Sequence, residues 1–112
     1  MEMYTERFSR AFDNLTFAEA SELCFLKLKL LLIAIEIPDM DLENSNGSNI
    51  LINPRDNHRI TRRTQGFFMA QSAEDAKRAF WFCRICHANI EDEKEIKKCK
   101  CKLSKCFLFF FC

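Results

Sequence analysis

The sequence predicts a small α or α+β protein with a helical N-terminal part and a loop-rich, cysteine-rich C-terminal module. Three observations lead to this fold class. A chain of 112 residues has the usual size of one domain with one core. A helix-capping pattern at Thr16 precedes a long apolar run. Six of the seven cysteines follow residue 82, which separates the C-terminal part from the rest.

The charge is balanced overall but unevenly distributed along the chain. The formal net charge is +1, whereas residues 1–54 contain four Lys/Arg and nine Asp/Glu and residues 55–112 contain thirteen and seven. Nucleic acids and anionic membranes usually select a strong basic excess, so the overall charge indicates neither partner. The first ten residues lack the apolar core of a signal peptide. We therefore expect a cytoplasmic, reducing environment, in which clustered cysteines are more often metal ligands than disulfides.

Residues 1–43 are predicted to form a helical, apolar segment. Thr16 followed by Glu19 is a capping-box pattern, so a helix should begin there. Within the apolar run from Leu23 to Ile37, apolar residues also alternate with period two, which leaves a strand open as the alternative. Charged residues interrupt this run far short of the roughly 20 apolar residues that cross a bilayer, so no membrane span is expected.

Residues 44–66 are predicted to be a polar linker or loop. The stretch of residues 43–49 is rich in turn-forming residues, and residues 50–52 have the composition of a short strand. A basic cluster follows, formed by Arg55, His58, Arg59, Arg62 and Arg63. Because it lacks interleaved aromatic residues, a solvated charged surface is the preferred interpretation, and nucleic-acid binding remains the alternative.

Residues 67–82 are predicted to form a helix that leads into the cysteine-rich module. Ser72 followed by acidic residues is a typical helix start, and small and aromatic residues recur on one face after it.

The cysteines of the C-terminal part have the spacing of a zinc site. Two close pairs separated by a loop allow four thiolates to surround one tetrahedral zinc ion. The predicted ligands are Cys83, Cys86, Cys99, Cys101, Cys106 and Cys112, with His87 as a candidate substitute ligand. Six cysteines within thirty residues are too dense for ordinary core residues, whereas the isolated Cys24 is interpreted as core. A Cys86–His87 nucleophile is disfavoured, because no third group orients the pair.

This pattern resembles the first half of the RING-CH domain of the membrane-associated RING-CH ubiquitin ligases. The resemblance rests on residues 83–87 and 99–101 and covers about thirty residues. In the family, a histidine and a cysteine follow at fixed spacing; here Phe109 replaces the histidine and Cys112 matches the cysteine. The resemblance therefore implies a partial zinc finger over residues 83–112. One site would keep Cys83, Cys86 and Cys112, and the other would keep Cys99 and Cys101.

The resemblance implies a function in ubiquitin transfer. A RING-CH domain docks a ubiquitin-conjugating enzyme, and Ile85 stands where such domains offer an apolar contact. The expected function is a truncated ubiquitin-ligase component that would be an enzyme only if its zinc finger is functional. The AN-type zinc finger, which the spacing of residues 83, 86, 99, 101 and 106 also resembles, implies a non-catalytic interaction module instead. Nucleic-acid binding through Arg55 to Arg63 is the third hypothesis.

Overall fold

A computed structural model describes residues 1–38, 48–55 and 58–98. Its central element is a four-stranded antiparallel sheet. The strands are β1 (Glu2–Arg7), β2 (Leu31–Pro38), β3 (Ser48–Ile52) and β4 (Gln65–Ala70). Their spatial order is β1-β4-β2-β3, so β4 and β2 lie in the centre.

The helices are short; the first lies between β1 and β2 in sequence, and the others follow the last strand. Helix α1 spans Phe17–Leu23 and continues directly into a π-helical turn, Cys24–Leu28. Helices α2 (Ala73–Ala76) and α3 (Arg78–Trp81) follow β4. Single 3-10 turns occur at Arg10–Phe12 and Glu93–Glu95.

The capping box predicted at Thr16 is confirmed. The Glu19 N–H donates to Thr16 Oγ1 at 3.2 Å, and the Thr16 N–H donates to Glu19 Oε1 at 2.9 Å. The Thr16 N–H and the Thr16 hydroxyl both donate to the Glu19 carboxylate and hold its pKa below its ordinary value. Ser72 likewise accepts a hydrogen bond from the N–H of Asp75, so the helix start predicted there is also confirmed.

The core lies between the inner face of the sheet and the helices. Buried rings pack there in tilted and edge-to-face contacts: Phe8 contacts Phe12 and Phe68, and Phe12 contacts Phe82. Aliphatic side chains of both layers complete the core, among them Leu28, Leu30, Leu32, Ile35 and Ile60. Burial of this apolar surface is the main source of stability for such a layered unit.

The predicted fold class, a mainly helical N-terminal part with a zinc module, is wrong. The sheet dominates the structure, and no zinc module is seen in the part of the chain that the structure describes. The apolar run from Leu23 to Ile37, for which the sequence favours a helix, divides between the end of helix α1, the π turn and strand β2. The segment 67–82 begins as the end of β4 and continues as α2 and α3. The sheet forms because β2 and β4 pair over long sequence distances, which a local capping or periodicity signal does not encode.

Among the described ranges, no helix is long and apolar enough to cross a membrane.

Candidate functional site

The turn after Phe82 contains the first two predicted zinc ligands. The backbone N–H groups of Ile85 and Cys86 both donate to Cys83 Sγ at 3.4 Å. The Cys83 side chain is fully buried, and that of Cys86 is half-buried. These two contacts fix the position of the Cys83 sulfur inside the turn.

His87 closes the same turn. The ring atom Nδ1 of His87 accepts a hydrogen bond from the backbone N–H of Cys83 at 2.9 Å. The backbone N–H of His87 donates to the Cys83 carbonyl oxygen at 3.0 Å. The ring is buried and stacks on Phe82. Burial, followed by the nearby Lys27 charge, lowers the pKa of His87, while a hydrogen bond to the Lys97 backbone acts in the opposite direction. The imidazole is therefore held neutral, with Nδ1 as an acceptor that is already used.

Two cations fasten the segment that follows Cys83 to the N-terminal half. Arg84 donates to the carbonyl oxygen of Ala11 through Nε at 3.1 Å and through a terminal nitrogen at 3.0 Å. Lys27, in the π turn, donates to the carbonyl oxygens of Ala88 and Ile90. Charged donors form the stronger protein hydrogen bonds, so these contacts hold residues 84–90 against the 3-10 turn Arg10–Phe12 and the π turn.

A third cation lies inside the molecule. Arg78 of α3 is buried and donates to the carbonyl oxygen of Leu28 at 3.1 Å and to the Asp75 carboxylate at 2.8 Å. The Leu28 carbonyl belongs to the end of the π turn, where helix carbonyls lack intrahelical donors. Arg78 therefore joins the two helical regions of the chain.

The structure brings together Cys83, Cys86 and His87 but leaves the rest of the predicted zinc site untested. Cys99, Cys101, Cys106 and Cys112 lie outside the described residues. Within residues 1–38, 48–55 and 58–98, no group of three or more His, Cys, Asp or Glu side chains could hold a metal ion. Zinc ligation stays a prediction. His87 does not suit the role of substitute ligand through Nδ1, because that atom accepts from Cys83. Ile85 lies at the surface.

Cys24 is buried in the core, as the sequence predicts. Burial alone raises the pKa of its thiol strongly, so this sulfur is an inert apolar group.

Sequence reasoning missed the buried Arg78 and the anchoring roles of Lys27 and Arg84. No anchoring role was predicted for any of the three, because a sequence does not show which backbone carbonyls are left without donors. For Lys27, its position within a mainly apolar run was a sequence signal of such a role.

Comparison with known proteins identifies a different kind of relative from the one expected. No family model matches the chain. The chain is 57% identical over 102 residues to the calcium-activated potassium channel slowpoke of Drosophila melanogaster, a match that covers 91% of this chain and 8% of the channel. It is 52% identical over 102 residues to the calcium-activated potassium channel slo-1 of Caenorhabditis elegans, covering 91% of this chain and 9% of that channel.

A solved structure is similar to this chain in both fold and sequence. The human SLO3 gating ring matches with a TM-score of 0.57 and 38% sequence identity, over 70% of this chain and 13% of that one. The expected RING-CH resemblance is therefore wrong, and so is its AN-type alternative. The predicted ubiquitin-ligase function, the ubiquitin-conjugating partner and the nucleic-acid hypothesis are wrong as well. The cysteine spacing matched a short motif by chance, whereas nearly the whole chain aligns with potassium channels. The chain, which spans less than a tenth of its curated relatives, is similar over almost its entire length to one segment of calcium-activated potassium channels.

Proposed function

We propose that this chain acts as a building segment of the gating ring of a calcium-activated potassium channel, on the cytoplasmic side of the membrane. The observation that carries the proposal is the 57% identity to slowpoke across 91% of the chain. The similarity of its fold to the human SLO3 gating ring supports the same assignment.

The internal contacts suit a part that transmits movement as one body. The sheet and the core join strands that are distant in sequence, and Lys27, Arg78 and Arg84 tie the C-terminal helices and turn to the N-terminal half. Packed interiors deform little, so a displacement at one edge of such a unit is passed to the other. The chain in this role needs no catalytic group of its own.

A graft tests the proposal. The segment of slowpoke that aligns with this chain is replaced by the aligned residues of this chain, and potassium currents are recorded from excised patches at a series of calcium concentrations. We expect calcium-activated currents whose half-activating calcium concentration lies within about tenfold of the parent channel, which corresponds to about 1.4 kcal/mol. A graft that reaches the cell surface and gives no calcium-dependent current would contradict the proposal.

The control graft carries Phe68→Ala. Phe68 is fully buried in the core, and removal of such a ring costs roughly 3–5 kcal/mol. We expect this control to lose current together with surface expression, which separates failure to fold from failure to gate.

A further inference from the structure

The face of the sheet that points away from the helices is largely apolar. Side chains of directly paired residues lie on the same face of a sheet. One row across the sheet consists of Met3, Met69 and Leu31, because Met69 pairs with both of the others. Met3 is 59% exposed and Leu31 is 48% exposed. This row is the first part of the outer face, which is the sheet face that points away from the helices.

A second row continues this face towards β3. Phe67 pairs with Thr5 on one side and with Ala34 on the other, and Ala34 pairs with Ile52. Ile52 is the most exposed aliphatic side chain of the sheet, at 74%. The row after it contains Arg7, Gln65 and Glu36, followed on β3 by Ile50, which is 56% exposed. The apolar area therefore ends in polar residues on β1, β4 and β2 and continues along β3.

A shallow groove of about 250 Å³ borders the first row. Its lining includes Phe25, from the π turn and 61% exposed, together with Leu31 and Met69. Large contiguous apolar patches are rare on stand-alone soluble proteins and usually mark an interface. Methionine and phenylalanine side chains also suit such a surface, because they supply adaptable apolar contact area.

Lys29 lies at the rim of this groove. Its side chain is exposed, and within the described ranges its ammonium group has no hydrogen bond or ion pair. A cation beside an apolar groove complements an apolar segment that carries a carboxylate.

We propose that the outer face and its groove bind another segment of the same channel polypeptide, apolar and with an Asp or Glu opposite Lys29. This inference rests on the proposed function. The chain corresponds to 8% and 9% of its two channel relatives, so most of each relative lies outside the matched part and is available to cover this face. The polar residues of the third row limit the contact on β1, β4 and β2.

Photo-crosslinking in the grafted slowpoke channel tests the contact. Leu31 is replaced by p-benzoylphenylalanine, and the products are resolved by denaturing electrophoresis and mapped by mass spectrometry. We expect a crosslink within one polypeptide, which runs at the mass of a single chain, to a peptide outside the graft that contains Asp or Glu. The same replacement at Glu74, whose side chain is 70% exposed on helix α2, is the matched control and should give no crosslink to that peptide.

Three outcomes would overturn the proposal: a product at twice the mass of the chain, a crosslink to lipid, or no crosslink at position 31. Lys29→Glu should lower the crosslink yield several-fold, whereas Lys29→Arg should preserve it. Currents from the same graft report on the proposed function independently, so a conducting graft without the crosslink refutes only the docking surface.

The 112-residue chain provides a second measurement that does not require the channel. Binding of the fluorescent apolar dye ANS should fall by about half or more in a Leu31→Lys, Met69→Lys double variant, with the thermal midpoint unchanged, because both changes lie on the outer face. Unchanged dye binding in a folded double variant would mean that this face is not an open apolar surface, and would overturn the proposal.

Discussion

The buried guanidinium of Arg78 reaches the carbonyl oxygen of Leu28 at 3.1 Å, across fifty positions of sequence. Arg78→Met would leave this carbonyl and the Asp75 carboxylate without their donor. We expect a loss of about 1.5–3 kcal/mol in the free energy of unfolding, measured by urea denaturation. Lys77→Met is the control, because Lys77 forms an exposed ion pair with Glu6 at 3.4 Å that is worth roughly 1 kcal/mol or less. Equal effects of the two variants would contradict the structural role of Arg78.

Gly66 lies where two aromatic rings meet the sheet. A Cβ at this position would come within 2.6 Å of the Phe68 ring and 2.7 Å of the Phe8 ring. Gly66→Ala should therefore destabilise the protein by about 1–3 kcal/mol, measured as a shift of the urea midpoint. Combining it with Phe8→Leu should recover part of this loss, relative to Phe8→Leu alone. Gln65→Ala, one residue earlier on the opposite face, should have a small effect.

The capping box at Thr16 should contribute measurably to helix α1. Thr16→Ala removes the acceptor of the Glu19 N–H and should cost about 1 kcal/mol of stability. Thr16→Ser keeps a hydroxyl oxygen at the same place and should retain most of it. An alanine variant as stable as the parent would show that solvent replaces the cap without cost.

Stability should depend on the protonation of His87. Its pKa in the folded protein lies below the ordinary value of 6.5, so the unfolded chain takes up the proton first as the pH falls. The contribution of His87 is complete above pH 6.5 and is lost progressively as the pH falls from there through the folded-state pKa. We expect the free energy of unfolding to decrease between pH 7.5 and 5.5.

His87→Gln identifies the source of this pH dependence. Glutamine offers an acceptor for the Cys83 N–H but does not titrate, so the decrease between pH 7.5 and 5.5 should become smaller. An unchanged pH profile would assign the dependence to another group.

Zinc ligation by the cysteines can be decided by elemental analysis of the purified chain. The prediction expects bound zinc that is lost in a Cys83→Ser, Cys86→Ser variant. Cys24→Ala should keep the metal, because Cys24 is a buried core residue. Metal-free protein from cells grown with added zinc would contradict the prediction.

Local signals in the sequence predicted the local features of this fold. Thr16 and Ser72 begin helices because a side-chain oxygen satisfies a nearby N–H group, and both partners lie within three residues. Residues 50–52 form part of strand β3, as their composition indicates. The cysteine spacing, also a local signal, led to the wrong family because short metal-binding motifs recur in unrelated proteins.

The alternation of residues 26–30 shows why the rest was not predictable. Leu and Lys alternate there as in a strand, yet the chain forms a π turn that ends at Lys29 in a left-handed conformation, with φ of 55°. The π turn buries Leu28 and presents Lys27 to the carbonyl oxygens of Ala88 and Ile90, more than sixty residues away. Strand β4 was missed for a related reason: its residues Phe67 to Ala70 are apolar on both faces, so no period of two is visible.

The pairing of β2 with β4 shifts by one residue between Leu32 and Ala34. Before this shift, even-numbered positions of β2 point into the core; after it, odd-numbered positions such as Ile35 do so. Saturation mutagenesis along residues 31–37 should therefore reveal a tolerance pattern that reverses its parity at Ile33. Deleting Ile33 would place Ala34 directly after Leu32 and restore a regular strand in which Leu32 and Ile35 both still face the core.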